Sequence, residues 1–327
     1  MSEPTPLQSF LGGVGLVVPV QFLLVLNGSV FGISGFLHDA VRGGKEALTS
    51  VAGFLLGGAI ISAIEGVAPP TVPTGLFRIV YSGLLVGIGT KMSSGCTSGH
   101  MICGLSRFSP RSIVATATFF ATAAVTTRFV YKGAFPPIRA TDWTLGTHGN
   151  TFLALQGFSI AVSTLLYLLS SGTASSIEDA PKQAEPRSIL RLLVNLTTGF
   201  NFAIALRLSN LSEPDRVISF LLLPFDGAFD PSLAYLAVGA LPLASLLYHF
   251  GRSKEQPRFG GQWAVPKGGK IDSKLVLGAA IFGVGWGLVG ICPGPGLVNL
   301  GRALGSGSGI QQTAAWVGSV ALGGLLV

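Results

Sequence analysis

Three cysteines in 327 residues are too few for a disulfide framework, so each thiol needs its own explanation. Cys96, His100 and Cys103 fall within one run, GCTSGHMICGLSRFSPRS, at 95–112, whereas Cys292 is followed by Pro-Gly-Pro-Gly. Thiolate and imidazole suit zinc or copper, but Cys96-x3-His100-x2-Cys103 offers three ligands with no evident fourth and no matching cluster elsewhere. A Cys96–Cys103 disulfide cannot be decided from spacing. Persulfide chemistry would need a thiolate beside a base, and His100 is the only candidate close in sequence to Cys96. A neutral thiol does something milder: it is a weak donor that can meet a soft sulfur atom without holding it tightly. Burial as a small hydrophobe is the plain alternative, most open at Cys103.

Composition places these residues in a membrane. The chain is 49% hydrophobic and 11% charged, with a mean hydropathy of +0.62, against roughly 25% charged residues in a soluble domain. Its 46 glycines suit closely packed membrane helices. The net charge of +7 does not read as nucleic-acid binding, because 21 Lys and Arg are spread along a mostly apolar chain. Residues 1–10 lack the basic start of a secretory signal peptide, and the apolar stretch at 11–26 is expected to remain as a helix. No stretch reads as a mitochondrial transit peptide, so the cell membrane is the expected location, with the lipid bilayer as a partner.

A spanning helix needs about 20 apolar residues. Suitable stretches lie near 47–66, 76–94, 112–130, 151–170, 189–209, 232–250 and 274–291, with shorter or weaker ones at 11–26, 217–225 and 312–327. The expectation is an all-α polytopic membrane protein with about nine transmembrane helices plus short re-entrant ones. Glu65 and Asp39, near predicted helix ends, read as solvated. Six Lys and Arg against two acids at 251–274 make that loop cytoplasmic by the positive-inside rule.

A polar linker at 171–188 divides a first membrane repeat, 1–170, from a second, 189–327, within one integrated membrane domain. GLLVGIGTKMSSGC at 83–96 echoes AAIFGVGWGLVGIC at 279–292: each carries Gly-x-Gly with a Cys seven residues on. A fainter echo pairs 30–40 with 205–215. Duplicated halves place a transporter's substrate site where the repeats meet, commonly at broken helices. Both cysteines precede such breaks, Thr97-Ser98-Gly99-His100 and Pro293-Gly294-Pro295-Gly296. Freed backbone groups find no partner in hydrocarbon, so these runs must be buried in protein or line a wet cavity.

The 95–112 run and GVGWGLVGICPGPGLVNLG at 283–301 together resemble the YeeE/YedE family of sulfur-transport membrane proteins, as do FGISG at 31–35 and FDPSLAYLAVGALPL at 229–243. The resemblance covers most of the chain outside the termini, the linker and the loop at 251–270. It implies two inverted-topology repeats with short helices dipping to a central constriction, and transport of thiosulfate or a related sulfur anion. Cysteines in that constriction would pass the anion along through transient S–H···S contacts. Carried over by motif, Cys96 and Cys292 are the stations and Cys103 a third candidate. Some members are expected to place a further Cys in the second half, where this chain has only Cys292.

The residue chemistry agrees with that implication. Thiosulfate is a dianion with one soft sulfur end, and apolar burial favours a thiol over a repelling thiolate. Backbone nests at Gly95, Thr97, Ser98 and Gly99, and at Pro293 to Gly296, are candidates to offset its charge. His100 reads as fixing its loop, and Arg107 and Arg111 either draw anions to the pore mouth or snorkel to the interface. No cofactor is implied, and no soluble rhodanese-like domain is visible, so any sulfurtransferase would be a separate chain. Two rivals remain: another cargo, such as sulfite, a persulfide, a selenium species or a metal ion, and a membrane sulfurtransferase.

Overall fold

In hydrocarbon a backbone must satisfy its own hydrogen bonds, and a continuous apolar segment does so only as a helix. The computed structural model describes residues 3–70, 74–138, 140–171, 187–223, 226–252 and 255–327, and among them there is no strand. The sequence-derived linker, 171–188, lies almost wholly outside the described residues. The long helices are α1 (Pro6–Asn27), α3 (Lys45–Glu65), α4 (Leu76–Ser93), α5 (Pro110–Tyr131), α6 (Gly149–Ser171), α7 (Ser188–Leu208), α9 (Ser232–Gly251) and α10 (Ser273–Val289). Shorter ones are α2 (Ile33–Val41), α8 (Pro214–Leu221), α11 (Pro293–Ser306) and α12 (Ile310–Leu325), and a π-helical segment spans Thr97–Gly104.

Seven stretches among the described residues are long and apolar enough to cross a membrane: α1, α3, α5, α6, α7, α9 and the α10–α11 run. The protein is a multi-pass membrane protein. Helix α4 carries Arg78 and Lys91, and α12 has only 16 residues, so neither meets the same length and hydropathy criteria. The short helices are where apolarity was a weaker guide. Helix α2 has nine residues and no apolar run of its own to announce it. The segment 205–215, which echoes 30–40 in sequence, closes α7 and turns into α8 instead of forming a helix like α2.

Small residues let the helices approach closely. Gly89 lies against the backbone of α10 at Gly278 and Phe282, and Gly53 against α7 at Leu196 and Phe200. Helix α1 packs on α7 and α9, and α3 on α7; α4 packs on α10 and α12, and α5 on α10. Each tight crossing buries backbone that a larger side chain would push apart.

Charge closes both ends of the α7 region. At its start Arg191 bonds Glu46 (2.6 Å) and the Asn27 carbonyl (3.0 Å), tying α7 to α3 and α1. At its far end Glu65, the last residue of α3, is not solvated as the sequence reading expected. Its side chain is 4% exposed and bridges Arg207 (2.6 Å) and Arg302 (2.9 Å). Glu213 joins the same cluster through Arg302 at 3.2 Å. Sequence position marked Glu65 as a helix end but gave no sign that two cations from later elements would converge there.

Breaking a buried pair strands its partner, at a cost of roughly 3–5 kcal/mol. Glu65→Gln is therefore expected to lower the melting temperature of the detergent-purified protein sharply, and Glu213→Gln, more exposed, to lower it less. A Glu65→Gln protein that melts like the wild type would show that the cluster adds nothing to stability.

Candidate functional site

Each cysteine motif sits where a helix ends and the chain restarts inside the protein. Helix α10 stops at Gly290, whose φ of +70° turns the chain back under Pro214 of α8. Two residues later Cys292 caps α11, accepting the amide of Gly296 at 2.9 Å. The first half does the same. Helix α4 ends at Ser94 (φ +58°), and Cys96 caps the π-helical segment, its carbonyl accepting from the His100 amide at 2.9 Å. A π-helix is rare, and short π segments are frequent at functional sites. The two breaks meet at one cavity: Thr97 and Ser98, which directly follow Cys96, line it together with Cys292. Both thiols are buried and free of disulfides.

The segment 95–100 separates two cavities. On one side lies a vestibule of about 700 Å3 whose wall includes Gly95, Gly99 and His100. Its charged lining is Lys91, Arg107, Arg111 and Lys274 against Asp39 and Glu46, and Glu46 is already paired with Arg191. Arg107 and Arg111 each keep one buried guanidinium nitrogen, Nη1 and Nε respectively, without a partner among the described residues. On the other side a cavity of about 70 Å3 is lined by Thr97, Ser98, Cys292, Gly294, Pro295 and a surround of Leu, Phe and Trp286. One turn of chain thus has a polar basic room on one face and a narrow apolar one on the other.

His100 holds that turn together. One ring nitrogen faces Ser112 Oγ at 3.1 Å and the other faces the Ser93 carbonyl at 3.1 Å. The ring lies so close under Gly95 that a Cβ there would stand 2.8 Å from Nε2. Both nitrogens are engaged away from the cysteines, and no group of three or more His, Cys, Asp or Glu among the described residues is placed to hold a metal. Ser98 links the turn to α2, its hydroxyl accepting from the Ile33 amide at 3.2 Å and lying 3.4 Å from Cys96 Sγ.

Cys103 stands apart from this junction. Its thiol is directed at the Phe31 carbonyl (3.7 Å) and it lines a separate space of about 20 Å3 with α1 and α9 residues. The structure therefore brings together Cys96, Thr97, Ser98 and Cys292, with Gly95, Gly99 and His100 on the vestibule side and Gly294 on the other. Pro293 is the first residue of α11 and is buried. The sequence reading missed Lys91, Lys274 and His38 in the vestibule and Trp286 in the narrow cavity. Trp286 was visible as the one aromatic in GVGWGLVGI, the nine residues directly before Cys292. The vestibule residues come from four separated segments, and only the fold collects them.

Family models match both halves. Residues 5–125 match a family model described as "Sulphur transport", and residues 190–326 match one described as a family of unknown function, DUF6691. A protein of Xylella fastidiosa (strain 9a5c) named "Probable transporter" is 46% identical over 123 residues, 37% of this chain and 91% of the relative. Another of that name, from Xylella fastidiosa (strain Temecula1 / ATCC 700964), is 40% identical over 119 residues, 36% of this chain and 80% of the relative.

If His100 positions the turn, His100→Gln should keep most activity by retaining a donor and an acceptor, whereas His100→Ala should reduce it several-fold at equal expression. Flux assays on both variants check this. Equal flux for Ala and wild type would remove His100 from any positioning role.

Proposed function

Because this chain belongs to the YeeE/YedE-type family of sulfur transporters, we propose that its cargo is thiosulfate, taken up through a path on which Cys96 and Cys292 are successive thiol stations. The observation that carries the reading is the meeting of two broken helices, each capped by a cysteine, across a single turn between a basic vestibule and a narrow apolar cavity. The four cationic side chains suit an anion delivered into the vestibule. At the turn the anion is out of water. A thiol there contacts its terminal sulfur weakly, as conduction requires binding that permits both entry and release.

The halves are read as inverted repeats, supported by element order. Each runs long, short, long, long, short and a closing helix: α1 to α5 with the π segment in fifth place, then α7 to α12, where the closing helix is the 16-residue α12. Packing is reciprocal, α1 on α9 against α7 on α3, and α4 on α12 against α10 on α5. Helix α6 is the additional element between them, which returns the chain so that the second half enters from the opposite side. Under the positive-inside rule the basic loop before α10 is cytoplasmic. The vestibule, lined by Ala264, Pro266, Gly268 and Lys274, then opens to the cytoplasm. A separate sulfurtransferase taking cargo there, and residence in the cell membrane, belong to the same proposal. Cys103 is given a structural place, since its thiol points to Phe31 and lines a different space.

Uptake of radiolabelled thiosulfate by cells unable to import it tests the reading. Wild-type protein should restore uptake, Cys96→Ala and Cys292→Ala should each abolish it at equal membrane expression, and Cys103→Ala should keep most of it. No uptake by well-expressed wild type would overturn the cargo. Uptake surviving in both station variants would overturn the thiol path and leave the cargo standing.

A further inference from the structure

Most buried side-chain donors among the described residues are engaged, and the few exceptions are informative. Trp316 illustrates the rule: buried beside Gly296, it donates its indole N–H to Ser82 Oγ at 3.2 Å. Trp286 is as deeply buried, 2% exposed, yet its Nε1 has no partner among the described residues. An indole nitrogen is a donor only, and leaving it unpaired away from water is unfavourable. The ring cannot easily turn to seek a partner. Phe120 meets it edge-on at 5.3 Å between centroids, Phe119 does so at 6.0 Å, and Phe282 stacks on it at 6.2 Å. The same ring lines the 70 Å3 cavity that holds Cys292, Thr97 and Ser98.

From this arrangement we propose that Trp286 is an oxyanion-binding residue of the transport path, its Nε1–H donating to an oxygen of the sulfur anion while that anion's sulfur end lies toward Cys292. The inference rests on the sulfur-anion reading above and adds a group that fixes which way round the cargo sits. The cavity is otherwise walled largely by apolar side chains, with Thr97 and Ser98 as its hydroxyls, so it recognises a two-ended ligand: a soft end for thiols and an oxygen end for a hard N–H donor. A hydrogen bond to a charged acceptor in such surroundings contributes more than a neutral one. Selection against a sulfur species without oxygens follows, because that species leaves the indole unpaired.

Proteoliposomes containing wild type or Trp286→Phe provide the test, with thiosulfate and hydrosulfide as the two probes. Phe keeps the ring packing and removes only the donor. Trp286→Phe should raise the thiosulfate KM by roughly tenfold, change the maximal rate less, and leave hydrosulfide flux unaltered. An unchanged thiosulfate KM would overturn the role of Trp286 while leaving the cargo intact. Wild-type liposomes that carry no thiosulfate would overturn the cargo and this role together. A second measurement needs no change at Trp286: the indole N–H resonances of the nitrogen-15-labelled protein, assigned by Trp143→Phe, Trp263→Phe and Trp316→Phe. Added sodium thiosulfate should shift the Trp286 resonance and spare that of Trp316, and a Trp286 resonance that stays put would overturn the proposal even if Trp286→Phe failed to fold.

Discussion

A backbone that stops being helical inside a membrane exposes amides and carbonyls to a medium with nothing to offer them, and the rest of this structure follows from managing two such stops. The ends of α4 and α10 release their chains into the protein centre, and each chain restarts as a new helix under a cysteine. What closes the protein around these breaks is close packing by small residues. Gly278 sits against Met92 and Ser93 at one break, and Gly290 sits under Pro214 and Ile218 at the other. Any Cβ at either position would collide with backbone. The glycine content that first reads as a compositional oddity is therefore a condition for having interior helix ends at all.

Those ends are also why the chemistry can be mild. With lipid and side chains excluding water, a weak donor counts for more than it would in solution, so on the proposed path a thiol can meet an anion without a strong base or metal. The charged residues sit back from the junction. Arg107 and Arg111 face the vestibule, and the Glu65–Arg207–Arg302 cluster braces the opposite end. The division is physical: full charges act at range and bind tightly when desolvated, whereas thiols act only on contact.

Much of this arrangement was legible from residues alone. Six of the seven apolar stretches read as spans, the Cys spacing after Gly-x-Gly and the breaks following Cys96 and Cys292 are local properties with a signature in a short window, whereas 11–26, read as weak, and 76–94, read as a span, exchange places in the structure. The vestibule was not legible, because Lys91, Arg107, Arg111 and Lys274 come from different elements and nothing in their neighbourhoods says they share a wall. Glu65 was misjudged for the same reason: its exposure depends on Arg207 and Arg302, which arrive from 142 and 237 positions away. Helix α2 escaped notice because a nine-residue helix tucked among others needs no apolar run of its own.

The two cysteine-capped ends are not equivalent, and the difference bears on direction. At the π segment Thr97, Ser98 and Gly99 all carry amide hydrogens, and the first amides of a helix have no intrahelical partner. At α11 the same positions are Pro293, Gly294 and Pro295, so only Gly294 retains a hydrogen to offer. Ile33 and Leu206 crowd Gly294 at about 3 Å from where its Cβ would be, which narrows that side further. On the proposed path an anion between the thiols thus meets backbone donors from the π segment and almost none from the start of α11. Charge is better compensated at the first end, and the second holds cargo less firmly unless a side chain such as Trp286 supplies the missing donor. A symmetric fold with asymmetric donors gives the proposed path a loosely holding station at Cys292 and a better-compensated one at Cys96, nearer the vestibule.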